Sequence, residues 1–332
     1  MEGISVKPIA VLGAGSWGTA LALYLSRQGQ AIRLWSIETP HIKTMMAEKT
    51  NNQYIPGHPF PDILHPTPDL AETVSDVDYI LIVVPSDGFQ STLSALKPLL
   101  KPHTSIICAS KGLDASGKLL HEVAHDVLGG THPYAVLSGP SFAHEVAAGL
   151  PTGVVIASNN TQLCHTLKQK FNSPLFQIDL SDDLVGVEVC GIAKNVIAIA
   201  TGVADGMELG ANARSTIITR GLAELTRLGL KLGGRMETFV GLAGMGDLIL
   251  TCSDNQSRNR RLGLAIGKGQ KMANAERDIG QAIEGKKNAQ LVVQLARQHK
   301  INMPICEAVW DILQGKVVTK KDAMERLLAK VA

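Results

Sequence analysis

Three groups of residues in this 332-residue chain have the types and the spacing to do chemistry. The first is Gly13-Ala14-Gly15-Ser16-Trp17-Gly18. In a G-x-G-x-x-G run, Gly13 permits a tight turn, Gly15 lets backbone approach a pyrophosphate, and Gly18 lets a helix pack closely on the preceding strand. Backbone amides at the helix start, backed by the helix dipole, attract phosphate oxygens. The second group lies between Leu184 and Asp205, where Glu188, Gly191, Lys194, Asn195, Ala198, Thr201, Gly202 and Asp205 fall on one helical stripe among Val, Ile, Ala and Leu. An ammonium in such company is costly to bury, and burial lowers its pKa, which suits proton transfer by Lys194. The competing reading pairs Lys194 with Glu188 or Asp205 for structure alone; the adjoining glycines, by leaving room for a ligand, favour catalysis. The third group is Gly241–Asp247, then Thr251, then Ser257-Arg258-Asn259-Arg260-Arg261. Ser257 can cap a helix, Asp247 can cap one or orient a cation, and a helix start bearing Arg258 and Asn259 is a phosphate site. A solvated basic helix end is the plainer reading, and it suits Arg260 or Arg261 better than the whole run.

These groups require particular elements to hold them. Pro8–Leu12 reads as a buried strand ahead of the glycine run, and Thr19–Gln28 as the helix after it. Ala31–Trp35, Tyr79–Val84, Ser105–Ala109, Ala135–Leu137 and Gly153–Ala157 read as further strands. Near-continuous Val, Ile and Leu imply strands covered on both faces, as in a parallel sheet. Ligands collect at the carboxyl ends of such strands. That places Gly13–Gly18, Pro85-Ser86, Ser110–Gly112 and Gly139–Ser141 on one rim. From Leu184 the pattern turns helical: Leu184–Asp205, Thr216–Leu228, Arg258–Gly267, Gln290–His299 and Asp322–Lys330. The expected fold is a Rossmann-like α/β domain over residues 1–187, doubly wound on a mostly parallel sheet, and an all-α domain over 188–332. No Pro/Gly/Ser linker parts them, so a tight junction with the site in the cleft is expected.

Composition narrows the function classes. A net charge of +2 points to neither nucleic acid nor an acidic membrane surface. The five cysteines are far apart with no C-x-x-C pair, which argues against a zinc site or a disulfide framework and for reduced core thiols in a cytoplasmic protein. The apolar stretch Pro8–Leu25 lacks the basic start of a signal segment, and no stable membrane insertion is expected. Which dinucleotide is bound stays open. The second strand runs into Trp35-Ser36-Ile37-Glu38, and Glu38 stands 20 residues beyond Gly18. An acid there reads the ribose of NAD, whereas a cation would read the phosphate of NADP; Arg33 alternates with core positions as an exposed strand residue.

Taken together, these motifs resemble the bacterial-type NAD(P)-dependent glycerol-3-phosphate dehydrogenases nearly end to end. The resemblance runs through Gly13–Ala20, Asn52–Gly57, Val84-Pro85-Ser86, Ser110-Lys111-Gly112-Leu113, Ser138–Ala143, Lys194-Asn195-Val196, Gly244–Leu248, Ser257-Arg258-Asn259 and Ile283-Glu284-Gly285. It implies reversible hydride transfer between NAD(P)H and dihydroxyacetone phosphate, giving sn-glycerol 3-phosphate for phospholipid synthesis. By the same resemblance Lys194 is the general acid/base, Asp247 its partner or a ligand of the substrate hydroxyl, and Lys111 lies between cofactor and substrate. Ser257, Arg258 and Asn259 grip the substrate, which Gly139, Ser141 and Asn195 also line. Gly13, Gly15, Ser16, Trp17, Gly18, Ile37, Lys111, Ala143, Arg258, Ala282 and Glu284 are implied cofactor contacts, with no metal. Ile37 departs from the His or Arg often found there, which weakens any expectation of a strong NADP preference. A homodimer is expected. Two other readings are a sibling dehydrogenase acting on a 3-hydroxy acid or a ketopantoate-like substrate, and a nucleotide-sensing regulator on the same fold, for which no recognition element is visible.

Overall fold

The computed structural model describes residues 7–317 and 319–328. They cluster into two compact units, one running to Ser110 and resuming at Leu120–Leu184, the other made of Lys111–Leu119 and the chain from Val185 onward.

The first unit is built on ten strands: β1 (Ile9–Leu12), β2 (Ile32–Trp35), β3 (Thr50–Asn51), β4 (Ile55–Pro59), β5 (Leu64–Thr67), β6 (Tyr79–Ile82), β7 (Ser105–Cys108), β8 (Tyr134–Ser138), β9 (Thr152–Ala157) and β10 (Phe176–Ser181). Eight form one sheet in the order β10-β9-β8-β7-β6-β1-β2-β5, and β3 pairs with β4 as a separate ribbon. Neighbours in the large sheet run parallel except β8 and β9. The register sets Val11 beside Leu34 on one side and Leu81 on the other. Every residue of β1 and β7 is buried, as continuous apolar runs in a two-faced sheet require. Helix Ser16–Arg27 follows β1 and buries Leu21, Leu23 and Leu25 in the core. Tyr24 stacks on Phe176 at 4.4 Å and donates its hydroxyl to Phe171 O at 2.6 Å, pinning that helix to the far edge strand.

Four strands escape the sequence reading, each for a local reason. β5 carries His65 and Pro66, and a proline is tolerated there because β5 is an edge. β10, at the opposite edge, alternates buried and exposed residues instead of running continuously apolar. β3 is only two polar residues, and β4 carries two prolines and a glycine in five.

Apart from the Lys111–Leu119 loop, the described elements of the second unit are helices: Leu184–Gly206, Ala211–Lys231, Met236–Val240, a π-helical turn Leu242–Gly246, Asp247–Ser253, Arg258–Gly267, Met272–Ile279, Glu284–Gln298, Pro304–Leu313 and Lys320–Leu327. The final expected helix, Asp322–Lys330, ends at Leu327, and its last residues lie outside the described ones. Leu184–Gly206 is the axis of the unit and is buried from Gly186 to Ala204. By length and composition it could cross a membrane, yet 94% of its apolar window is covered by protein.

Two glycines of this axial helix, Gly202 and Gly206, leave no room for a ligand, against the expectation drawn from the sequence. A Cβ at Gly202 would overlap Arg260 O and come within 2.8 Å of Leu264 N, and one at Gly263 would overlap Ile199 O. Gly202 and Gly263 therefore let helices Leu184–Gly206 and Arg258–Gly267 meet backbone to backbone. The solvated-end reading holds at Arg261, which is exposed, but not at Arg260. Arg260 is buried, not solvated; it donates to Cys252 O at 3.0 Å and pairs with Asp205, which also takes Arg214 at 2.9 Å.

Candidate active site

In the first unit the glycine run forms the turn between β1 and helix Ser16–Arg27. Gly13 sits at φ +116°, and a Cβ there would lie 2.7 Å from Val83 O. A Cβ on Gly18 would overlap Gly13 O, so the helix leans on the strand as closely as backbone allows. Gly15 is different: a Cβ there would meet nothing within 4 Å. It is also the N-cap of the helix, contributes no side chain to cap the amides, and no acid stands in the first turn. Open space in front of an uncapped helix start fits a dinucleotide pyrophosphate. Nearby, Gly13 N donates to Trp35 O at 2.8 Å, so the end of β2 is tied to the loop. Ser16 Oγ donates to Tyr54 O at 3.4 Å. Ile37 is 82% exposed just past β2.

Along the same rim, Ser110 Oγ donates to Val84 O at 2.5 Å, which draws the loops after β6 and β7 together. Gly139, after β8, adopts φ +141°, where a Cβ would come within 3.0 Å of Val154 Cα. Ser141 Oγ donates to Gly139 O at 2.9 Å, and Ala143 opens helix Ala143–Ala148.

The second unit gathers the titratable groups. Asp247 is 1% exposed at the start of helix Asp247–Ser253, directly after the π-helical turn. Its Oδ1 accepts from Lys194 Nζ at 2.8 Å and its Oδ2 from Lys111 Nζ at 3.0 Å. Lys194 donates again to Thr251 Oγ1 at 3.0 Å, and Thr251 in turn donates to Asp247 O at 2.6 Å. Burial lowers the Lys194 ammonium to about 8; attraction to Asp247 opposes that shift and the nearby Lys111 charge adds to it. Burial alone would raise the Asp247 carboxyl, but the ammonium groups of Lys111 and Lys194 outweigh it and hold Asp247 below its ordinary value. Lys194 thus pairs with Asp247, not with Glu188 or Asp205. Thr251, already in the third group of the sequence, lies one turn beyond Asp247 on the same helical face, and the structure adds its contact with Lys194.

A second polar cluster adjoins Lys194 along the chain. Asn259 Nδ2 donates to Asn195 Oδ1 at 2.9 Å, and Gly285 N donates to Asn259 Oδ1 at 2.9 Å. Asn195 Nδ2 stands 3.5 Å from Glu284 Oε2. Gly285 gives helix Glu284–Gln298 room to approach, since a Cβ there would come within 2.6 Å of both Asn195 O and Asn259 Oδ1. Ser257 caps helix Arg258–Gly267 through Oγ, accepting from Arg260 N at 3.2 Å. Arg258, in the first turn, is half-buried and donates to Gln281 Oε1 at 3.2 Å, and Ala282 beside Gln281 is exposed. Among the described residues no group of three or more His, Cys, Asp or Glu could hold a metal ion.

The second unit thus holds a lysine pair on one carboxylate and a capped helix bearing Arg258, and the first an uncapped glycine loop. Comparison with known proteins decides the family. Residues 8–164 match the profile of the NAD-dependent glycerol-3-phosphate dehydrogenase N-terminus, and residues 183–324 match that of its C-terminus. This chain belongs to the NAD-dependent glycerol-3-phosphate dehydrogenase family. It is 51% identical over 320 residues to glycerol-3-phosphate dehydrogenase [NAD(P)+] of Coxiella burnetii, covering 96% of each chain. With the like-named protein of Legionella pneumophila it shares 46% identity over 327 residues, 98% of each. The crystal structure of the Coxiella burnetii enzyme superposes with a TM-score of 0.95 at 50% identity, covering 98% of this chain and 99% of that one. Neither the sibling-dehydrogenase nor the sensor reading is favoured.

Proposed function

We propose that this protein reversibly reduces dihydroxyacetone phosphate to sn-glycerol 3-phosphate with NAD(P)H, supplying the backbone of glycerophospholipids. The observation that carries the reading is the buried Lys194 ammonium, lowered to about 8 and held between Asp247 and Thr251. A bound nicotinamide cofactor supplies or accepts the hydride. Hydride arrival at a ketone leaves an alkoxide, which needs a proton. Lys194 Nζ has three hydrogens, two of them directed to Asp247 Oδ1 and Thr251 Oγ1, so a third is available to the substrate oxygen. As an ammonium it also polarises the carbonyl before transfer. In the oxidative direction the neutral amine takes the hydroxyl proton back.

Asp247 has two tasks in this scheme. It keeps Lys194 protonated more readily than burial alone would allow, and it fixes both lysines in place. Lys111 leaves the cluster with a net positive charge whenever Lys194 is protonated, suited to a phosphorylated substrate. Arg258, at the capped start of its helix, adds a guanidinium and helix-end amides for the phosphate. Asn195 and Asn259 offer polar atoms for the substrate hydroxyls. The glycine loop of the first unit would hold the pyrophosphate of the cofactor. The same reading includes a cytoplasmic enzyme without membrane insertion and a homodimer. Supporting the homodimer are Met236, Val240, Met245 and Ile249, large apolar side chains left exposed on the helices around Asp247.

The test is the oxidation of NADH and NADPH by the purified protein with dihydroxyacetone phosphate, read as loss of nicotinamide absorbance. Oxidation with either cofactor is the expected result. None with both, from folded protein that binds them, would refute the substrate assignment.

A further inference from the structure

We propose that this enzyme selects NAD(H) over NADP(H), and that the Ile37-Glu38 turn makes the selection. The inference rests on the dehydrogenase reading above. It starts from where that turn is anchored. Trp35 O accepts from Gly13 N at 2.8 Å, which brings the end of β2 to the glycine loop. In a nucleotide-binding sheet, the residues just past this strand meet the adenosine ribose.

The turn is built to present an acid. Glu38 N donates to Ser36 Oγ at 3.2 Å, and Glu38 O accepts from Ile42 N at 3.1 Å, so the backbone of Glu38 opens helix Thr39–Glu48. Its carboxylate stays exposed and lies 3.9 Å from His41 Nδ1. His41 Nε2 meets Asn51 Oδ1 at 2.9 Å, and the buried Asn51 donates to Ala14 O at 2.9 Å and to Thr19 Oγ1 at 2.8 Å. Hydrogen bonds through His41 and Asn51 therefore tie the helix that Glu38 opens to the phosphate-binding loop. His41 is braced further by an edge-on contact with the Tyr54 ring at 5.2 Å.

Charge then discriminates. A carboxylate accepts hydrogen bonds from both hydroxyls of an unmodified ribose. A 2′-phosphate brings a like charge and removes a donor. A protein that welcomes that phosphate places a guanidinium or ammonium against it. Ile37 instead puts an exposed hydrocarbon beside the acid. Arg33, the cation on β2, is directed elsewhere: its NH1 donates to Glu72 O at 2.8 Å, Ser75 O at 2.6 Å and Ser75 Oγ at 3.1 Å. It closes the end of helix Leu70–Val74 and leaves the turn acidic.

Titrating the full-length protein with NADH and with NADPH, read by nicotinamide fluorescence without substrate, tests this directly. NADH is expected to bind at least about tenfold more tightly, the ratio of one charge-assisted hydrogen bond. Ile37→Arg should tighten NADPH by about the same factor, and Glu38→Gln should narrow the ratio by easing repulsion and weakening the ribose contact. Equal or tighter NADPH binding in the unsubstituted protein would overturn the proposal, as would a ratio that neither substitution moves. A wrong substrate assignment shows differently, as selective cofactor binding with no oxidation when dihydroxyacetone phosphate is added.

Discussion

In the proposed mechanism Lys194 is useful because burial outweighs the attraction of Asp247. Burial strips water from the ammonium, and Asp247 at 2.8 Å restores part of what is lost, leaving a group that titrates at about 8. Ketone reduction needs the ammonium, so its rate should fall as pH rises through about 8, while glycerol 3-phosphate oxidation, which needs the amine, should rise over the same interval. Lys194→Ala should cut turnover by about two to four orders of magnitude in either direction while leaving cofactor affinity nearly unchanged. Asp247→Asn removes the favourable charge, so the reductive limb of the pH profile should move to lower pH; an unmoved limb would mean that another group titrates. Arg258→Ala should raise the KM for dihydroxyacetone phosphate about tenfold or more, as loss of a charged hydrogen bond to phosphate implies.

Those side chains are placed by helices whose contacts are mostly backbone. Gly202 and Gly263 bring helices Leu184–Gly206 and Arg258–Gly267 into direct apposition, which sets Lys194 and Asn195 on one and Ser257–Asn259 on the other. Gly202→Ala would gain about 1 kcal/mol from helix propensity in isolation, yet the overlap with Arg260 O should turn this into a loss of about 1–3 kcal/mol in chemical denaturation. A different device starts helix Pro304–Leu313. Glu224 is fully buried on helix Ala211–Lys231 and accepts from Ile305 N at 2.7 Å and Cys306 N at 3.1 Å, capping a helix that is remote in sequence. Burial raises its carboxyl to about 7, although both amides oppose the shift. Because the folded value exceeds the ordinary 4.5, the stability linked to its proton is complete below about 4.5 and is lost as pH rises through about 7. Denaturation of Glu224→Gln should lose this component of the pH dependence. Glu224→Ala should cost about 1–3 kcal/mol by orphaning two buried amides.

Across the protein, burial also governs the thiols. Cys108, Cys164, Cys190, Cys252 and Cys306 are all buried thiols. Burial pushes Cys252 up to about 12 and Cys306 well above its ordinary value, which suppresses the reactive thiolate. An aromatic disulfide reagent should therefore label none of them rapidly in the native protein and all five after denaturation; a fast-reacting native thiol would show that one of these sites is open. The two compact units divide the chemistry as well. The glycine loop belongs to the first and the lysine–aspartate cluster to the second, with Lys111 assigned to the second although it directly follows a loop of the first.

Features that depend on short stretches of chain were legible from residue order. The glycine run, the buried strands on either side of it, the Ser257 cap and the helical character beyond Leu184 each arise within about one turn or strand, where backbone sterics and hydrophobic period decide the outcome. Lys194 stood out because an ammonium in an apolar helix is anomalous wherever that helix lies. Its partner was not legible from helical period, because Asp247 is 53 residues away and Glu188 and Asp205 share the stripe of Lys194; only the family resemblance pointed to Asp247. In the fold Asp247, directly after the π-helical turn, meets Lys194, while Arg214 and Arg260 claim Asp205. The purpose of Gly202 and the burial of Arg260 were hidden for the same reason, since each depends on a helix about 60 residues further along or earlier in the chain. Strand order, edge strands and long-range charge pairing come from packing distant segments together, and only the folded chain supplies those neighbours.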